Sequence, residues 1–374
     1  MESIAKNKNN KKRDVRLDIV RIFSLFCVIA VHFFLNSGFY EKAVIGKNML
    51  ISSIIRSFFI ICVPMFITLT GYLMNKKEIS KKYYKGIVKT LVIYLFCSIL
   101  YSFFVKYYLK DEMNIGIFLK NILSFSGTKY SWYIEMYIGL FLIIPFLNLI
   151  FNNLKNQKQA KLLLMTLILL IGLPASINIF KFDSFEWWMQ PSVNSEYFRI
   201  IPQWWMGIYP IFYYFLGAYL RKYEIKISTK LNVILLIILV ILDGVFNFYR
   251  SYNSQYIWGT WNSYYSAIVM LTTFLTFNLF LKIKIKEGKI ILEKILKTIS
   301  DACLGAYLIS CCFDIFFYEK LAQMVPEYKD KILYAPLMVL IVFICSIATS
   351  ILLNYIYNLA NGIIKQFKKK CINE

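Results

Sequence analysis

Long apolar runs separated by short polar ones repeat along the whole chain. Windows of about 18 or more residues with few charges recur, and each is long enough as a helix to cross about 30 Å of hydrocarbon. The pattern predicts spans at Ile19–Gly38, Leu50–Met74, Gly86–Tyr107, Trp132–Phe151 and Leu162–Phe180. It continues with Trp205–Leu220, the shortest, then Leu231–Tyr249, Trp261–Leu281, Ser300–Tyr318 and Tyr334–Leu359. The expected fold is therefore all-α, a polytopic membrane helix bundle of about ten transmembrane helices. A basic tail is read over 1–18, a membrane domain over 19–360 and a second basic tail over 361–374. No internal repeat, linker or soluble domain is read. The first apolar run is too long for a signal-peptide core and lacks a small-residue cleavage site, so it reads as an uncleaved span.

Polar loops set the orientation. Summed over alternate loops, one side holds about 29 Lys and Arg residues and the other about 12. The rich side carries the N-terminal tail (Lys6, Lys8, Lys11, Lys12, Arg13, Arg16) and the loops 76–89, 155–161, 221–230 and 282–297. It also carries the tail Lys365–Lys370. Positive charge is retained in the cytoplasm, so both termini are expected there, in a multi-pass protein of the plasma membrane.

Composition changes the picture only by exclusion. Hydrophobic residues make up 59%, aromatic 18% and charged 17%, against about a quarter charged in soluble domains. The net charge of +22 lies in short clusters between apolar runs, with no long basic stripe, and nucleic acid is not an expected partner. Seven of the eight cysteines lie within apolar runs and Cys371 follows the basic tail, which argues against a disulfide framework. One histidine and scattered cysteines make no metal cluster, and no metal is expected. The outer loops are rich in aromatics, including Trp187, Trp188, Tyr197, Trp204, Tyr252, Tyr256, Trp258 and Trp261. Interfacial anchoring explains most of these; the rest could form a platform for sugar rings.

Candidate chemistry starts at His32, the only histidine, placed inside an apolar span where ionisable groups are costly and usually functional. Imidazole titrates near neutral pH, which suits proton transfer. Arg21 precedes it by eleven residues, about 16 Å along a helix and on nearly the same face. Arg16, Asp18 and Arg21 then form a charged collar at the cytoplasmic start of the span, which could equally be a snorkelling anchor. In a hairpin turning near Val44, Arg56 lies at the depth of His32. A buried arginine needs an anionic or carbonyl partner, such as a developing oxyanion, a lipid-linked phosphate or Glu135. Pro64 can loosen the second span, and Gly71 permits close backbone approach near Thr70 and Tyr72. Asp243, Asp301 and Asp314 are further intramembrane acids, and Ser310 lies one turn from Asp314. A Ser310–His32–Asp314 arrangement is a minor alternative, with no nucleophile-elbow motif to support it.

The run Arg16–Arg21, followed by His32 eleven residues later, resembles the opening of the bacterial membrane acyltransferase 3 family. So do Val63–Tyr72, Trp132 and Tyr133 with Gly139 and Pro145, Tyr209 and Pro210 with Phe215, Gly217 and Ala218, and Ser300 with Gly305 and Tyr307. The resemblance covers nearly the whole chain. It implies a ten-helix enzyme that takes an acyl group, commonly acetyl, from cytoplasmic acyl-CoA and passes it to a hydroxyl of an envelope polysaccharide or its lipid-linked precursor. On that analogy His32, with Arg56 and Glu135, is catalytic. Arg16, Asp18, Arg21, Tyr72, Lys82 and Lys85 would hold the donor. The chain departs from the family pattern at Ser310, where many members carry histidine. Lys82 and Lys85 stand where members often have arginines, and lysine lacks arginine's planar fork. Some relatives carry an extra hydrolase-like domain, and without one transfer must finish in the membrane domain or with a separate envelope-synthesis partner. Two other readings remain at this point: a polysaccharide exporter or flippase without acyl chemistry, and a scaffold of an envelope-synthesis complex. No paired broken spans suggest a transporter's inverted repeats.

Overall fold

The computed structural model describes residues 13–193, 197–285 and 290–373, with side chains followed continuously to Leu359. Lys6, Lys8, Lys11, Lys12 and Glu196 lie outside the described residues, as do the side chains of Lys365–Lys370 and Cys371. Within that range the secondary structure is helical apart from two isolated bridges, Ala43 to Gln255 and Val44 to Tyr252, which tie two outer loops together.

Leaving single turns and the nine-residue loop helix Ile115–Leu123 unlabelled, the helices are α1 (Val15–Asn36), α2 (Gly46–Phe59), α3 (Cys62–Met74), α4 (Val88–Phe104) and α5 (Trp132–Asn152). They continue with α6 (Gln157–Leu167), α7 (Tyr209–Lys222), α8 (Thr229–Arg250), α9 (Ala267–Leu281), α10 (Ile290–Met324) and α11 (Ala335–Asn373). Local chemistry fixes several starts. Asp14 caps α1 by accepting from the Arg16 amide, Asn156 caps α6 and Ser228 caps α8, each relieving an unpaired amide. The second span is broken at Ile60 and Ile61 into α2 and α3, because Pro64 has no amide to donate to the Ile60 carbonyl.

Among the described residues, nine helical stretches are long and apolar enough to span a bilayer, one of them α2 with α3 and another α6 with its continuation to Ile177. The expected sixth span is α7, whose 14 residues rise only about 21 Å. It can be this short because protein, and not lipid, surrounds it: every residue from Phe212 to Leu220 is buried. Its contact with α3 is backbone on backbone. A Cβ at Gly71 would collide with the Tyr214 carbonyl, and one at Gly217 with the Thr68 carbonyl and the Tyr72 amide. Small residues at such crossings let helices approach where no hydrophobic effect drives them together. Around this pair, α1 packs on α3 and α10, α10 on α11 and α4, and α2 on α8.

Candidate active site

His32 lies four residues before the outer end of α1, so its ring sits near the outer edge of the hydrocarbon and not at mid-membrane. Three other elements meet it there. Asp314 of α10 points an oxygen at the imidazole, with Nδ1 to Oδ2 at 3.4 Å. Tyr130, in the turn before α5, donates its hydroxyl to the same oxygen at 2.8 Å and lies against the ring with centroids 3.8 Å apart. Tyr307 of α10 holds Tyr130 from beneath through its backbone carbonyl at 2.5 Å. Asn36, one turn along α1, bridges the His32 carbonyl at 2.8 Å and the Tyr130 hydroxyl at 3.2 Å, and Lys129 donates to it at 3.2 Å. Burial, then the Asp314 carboxylate, push the Tyr130 phenol well above its ordinary range, so it remains a donor.

The two accessibilities differ. The Asp314 side chain has no exposure, whereas 12% of the His32 side chain remains open. The sealed carboxylate faces one edge of the ring as a close approach and not a hydrogen bond, since Nδ1 has no hydrogen-bond partner among the described residues. Ser310 takes no part, because its hydroxyl donates to the Tyr307 carbonyl at 2.9 Å.

Towards the cytoplasm, the same face of α1 lines two cavities that share Arg21. The outermost, about 550 Å³, is a mouth walled by Arg21, Arg221, Lys76, Tyr72 and Asp18. The deeper one, about 170 Å³, runs from Arg21 past Val28 to Tyr133 and Tyr307. Val28 is one turn below His32, and Tyr307 holds the backbone of Tyr130, whose own ring lies against the imidazole. Arg21 donates to Ser300 at 2.8 Å and has no ion-pair partner among the described residues. Arg221 stands 5.0 Å over the Tyr72 ring and makes no direct ion pair among the described residues, though it acts electrostatically on Asp14 at the same mouth. Sequence reasoning had counted Arg221 only as loop charge; its position one turn beyond the Gly217 crossing is what turns it to the mouth.

Not all the expected site residues come together. Arg21, Asp18 and Tyr72 meet at the mouth, but Asp18 is held bidentate by Arg13, at 2.7 and 2.5 Å. Arg16 faces elsewhere, bonded to Asp14 at 2.9 and 2.8 Å and to the Leu281 carbonyl at 2.5 Å. Lys82 and Lys85 are exposed and absent from the walls of the mouth. Glu135 is exposed on α5, without a side-chain partner among the described residues.

Arg56 lies on α2, ten residues in from its outer start, and does not join the His32 cluster. It is wholly buried and caged by aromatic rings, 5.8 Å from Tyr40, 4.8 Å from Tyr256 and 4.7 Å from Trp258, and donates to the Tyr40 hydroxyl at 2.8 Å. No hydrogen bond or ring contact joins it to His32. Of the expected aromatic platform, Trp187, Tyr256 and Trp261 are buried, while Tyr252, Trp258 and Trp204 stay exposed.

Comparison with known proteins places the chain in a family. The model of a family described as "Acyltransferase domain" matches residues 14–355. Proteins of Staphylococcus aureus strains MSSA476, MRSA252 and MW2, each described as a probable poly-beta-1,6-N-acetyl-D-glucosamine export protein, are 25% identical over 260 residues. That alignment covers 68% of this chain and 70% of each relative. No solved structure matches.

Proposed function

Because the chain belongs to this family of membrane acyltransferases, we propose that it carries an acyl group, acetyl in the simplest case, from cytoplasmic acyl-CoA to a hydroxyl of an envelope polysaccharide or its lipid-linked precursor. One observation supports the reading: a histidine faced by a sealed carboxylate stands at the outer end of a helix face whose cytoplasmic end is a cavity with two arginines that make no direct ion pair among the described residues.

In this reading the donor's phosphates rest on Arg21 and Arg221 at the mouth, and its thioester arm extends along α1 towards Tyr307 and Tyr130. The span from Arg21 to His32, about 16 Å, is covered by the arm and not by movement of the protein. His32, oriented by Asp314, accepts the proton of the glycan hydroxyl as that oxygen attacks the thioester carbonyl. The carbon–sulfur bond breaks, the acyl group remains on the glycan oxygen, and the imidazolium returns its proton to the departing thiolate. Tyr130, donating to Asp314, keeps that carboxylate turned to the ring.

A second reading is favoured by one finding, the export function in the relatives' description. Under it, the intramembrane His32 cluster would serve polysaccharide passage without acyl chemistry. Mass spectrometry of surface glycan from cells with the native protein, with His32→Ala and without the protein separates the two. Loss of ester with normal polymer outside supports the transferase; loss of surface polymer with ester content per sugar unchanged overturns it.

A further inference from the structure

Another cavity lies away from the His32 site. It is a groove of about 720 Å³ between α6, α7 and α9, within the size range of ligand sites, about 300–1,000 Å³. Its geometry follows from the sequence. Near the outer side α6 and α9 touch: a Cβ at Gly172 would come 3.0 Å from Met270 Sδ and 3.2 Å from Ala267 Cα. The α6 backbone passes through a wide π-turn at Ile168–Gly172, a local irregularity often found at functional places. Towards the cytoplasm the two helices part, and the buried α7 forms the floor.

The groove runs along α6 from Gln157 to Ile168, about 16 Å, which is one leaflet of a bilayer and no more. Its walls are apolar and its cytoplasmic rim is not. Lys161 and Lys226 line that rim, both exposed and neither hydrogen-bonded nor ion-paired among the described residues; Glu224 lies beside them, also unpaired. Two cations and one carboxylate at headgroup level match a phosphodiester that carries neutral hydroxyls. The phosphate meets the lysines, and the hydroxyls donate to Glu224.

We infer that this groove binds one anionic glycerophospholipid of the inner leaflet, of the phosphatidylglycerol type, with its phosphate at Lys161 and Lys226 and acyl chain along α6. The site is independent of the acyl-transfer reading. Its bound lipid fills the gap between α6 and α9 and braces the floor helix, α7, which packs through Gly217 on the wall of the mouth.

The test uses the purified full chain in a neutral detergent, with lipid binding followed by native mass spectrometry and by the thermal unfolding midpoint. Dioleoyl phosphatidylglycerol should bind one per chain and raise the midpoint, well ahead of dioleoyl phosphatidylcholine and phosphatidylethanolamine. Replacing both rim lysines by glutamine (K161Q with K226Q) should weaken phosphatidylglycerol binding about tenfold or more and erase the headgroup preference. L271W, which fills the groove from an exposed position, should weaken every lipid regardless of headgroup. Equal binding of the three lipids overturns the proposal, as does an unchanged preference after the lysine swaps. So does tighter binding of a polyprenyl phosphate, which assigns the groove to a carrier lipid, or the full effect from soluble glycerol phosphate, which needs no groove.

Discussion

His32 and Arg56 are two ionisable residues inside apolar spans on adjacent helices, and the bundle treats them in opposite ways. His32 keeps an opening, and its partner Asp314 comes from a helix that also walls a cavity. Arg56 has no exposure, and its guanidinium is covered by three aromatic faces. Asp243 of α8 is buried close enough to act on it electrostatically without a direct ion pair. Burial of a charge is a cost in either place. At Arg56 it is offset by cation–π contacts that strap the outer loops, through Tyr40, Tyr256 and Trp258, onto α2. At His32 the ring is only partly covered, with 12% of its side chain open.

The sharpest way to break this contrast is to remove each group and read two quantities. His32→Ala should reduce glycan acylation by at least about 10²-fold, the contribution of a general base, with the unfolding midpoint nearly unchanged. Asp314→Asn should lose most of the same activity by freeing the ring. Retained ester content in either variant removes the imidazole from the chemistry. Arg56→Ala should act the other way round. Leaving Asp243 buried without its cation should cost about 3–5 kcal/mol of stability, while the folded fraction keeps its turnover. Pairing Arg56→Met with Asp243→Leu should recover part of that loss. A folded Arg56→Ala protein without activity would move this arginine into the site.

The contrast also shows where sequence reasoning stops. Position along one helix is legible: counting along α1 puts Arg21 three turns from His32 on the same face. Arg21 does line a cavity with Val28, one turn before His32, though His32 itself is not among the residues that wall it. Between helices, position is not legible. Four acids, Glu135, Asp243, Asp301 and Asp314, were open as partners, and nothing in a single chain says which helix α1 will face. Asp314 lies far along the chain, and its choice rests on the packing of α1 against α10. The short sixth span was legible as an apolar run, but its burial on all sides was not. That depends on Gly71 and Gly217 meeting in one crossing; Gly71 reads as a point of close backbone approach, but nothing in the sequence names Gly217 as its counterpart.

Gly217→Ala tests that hidden crossing and should have a smaller effect than the loss of either charge. A methyl there meets the Thr68 carbonyl and the Tyr72 amide, both backbone, so α3 and α7 must separate. Overpacking of this kind costs about 1–3 kcal/mol. Because Tyr72 and Arg221 line the mouth on either side of the crossing, the KM for the acyl donor should rise while kcat changes little. Arg21→Ala should likewise raise that KM. A Gly217→Ala protein of native stability would show that the crossing is looser than its backbone contacts indicate.

The smallest effect is expected at Asp14, and it isolates charge from capping. The Arg16 guanidinium first, then the Arg16 amide and the distant Arg221, hold the Asp14 carboxyl below its usual range despite partial burial. A lowered folded-state value means that the ionised form stabilises the fold. That contribution is complete above the unfolded value, about 3.9, and is lost as pH falls through the folded one. The pair is partly solvated, so solvent screening limits it to about 0.5 kcal/mol. Asn at this position can still accept from the Arg16 amide and keep the cap, but it carries no charge. The unfolding midpoint of Asp14→Asn should therefore lie slightly below that of the native chain at pH 6, and the gap should close below about pH 4. A gap independent of pH would mean that the clamp on the start of α1 is made by its hydrogen bonds alone, and that the charge on Asp14 adds nothing to it.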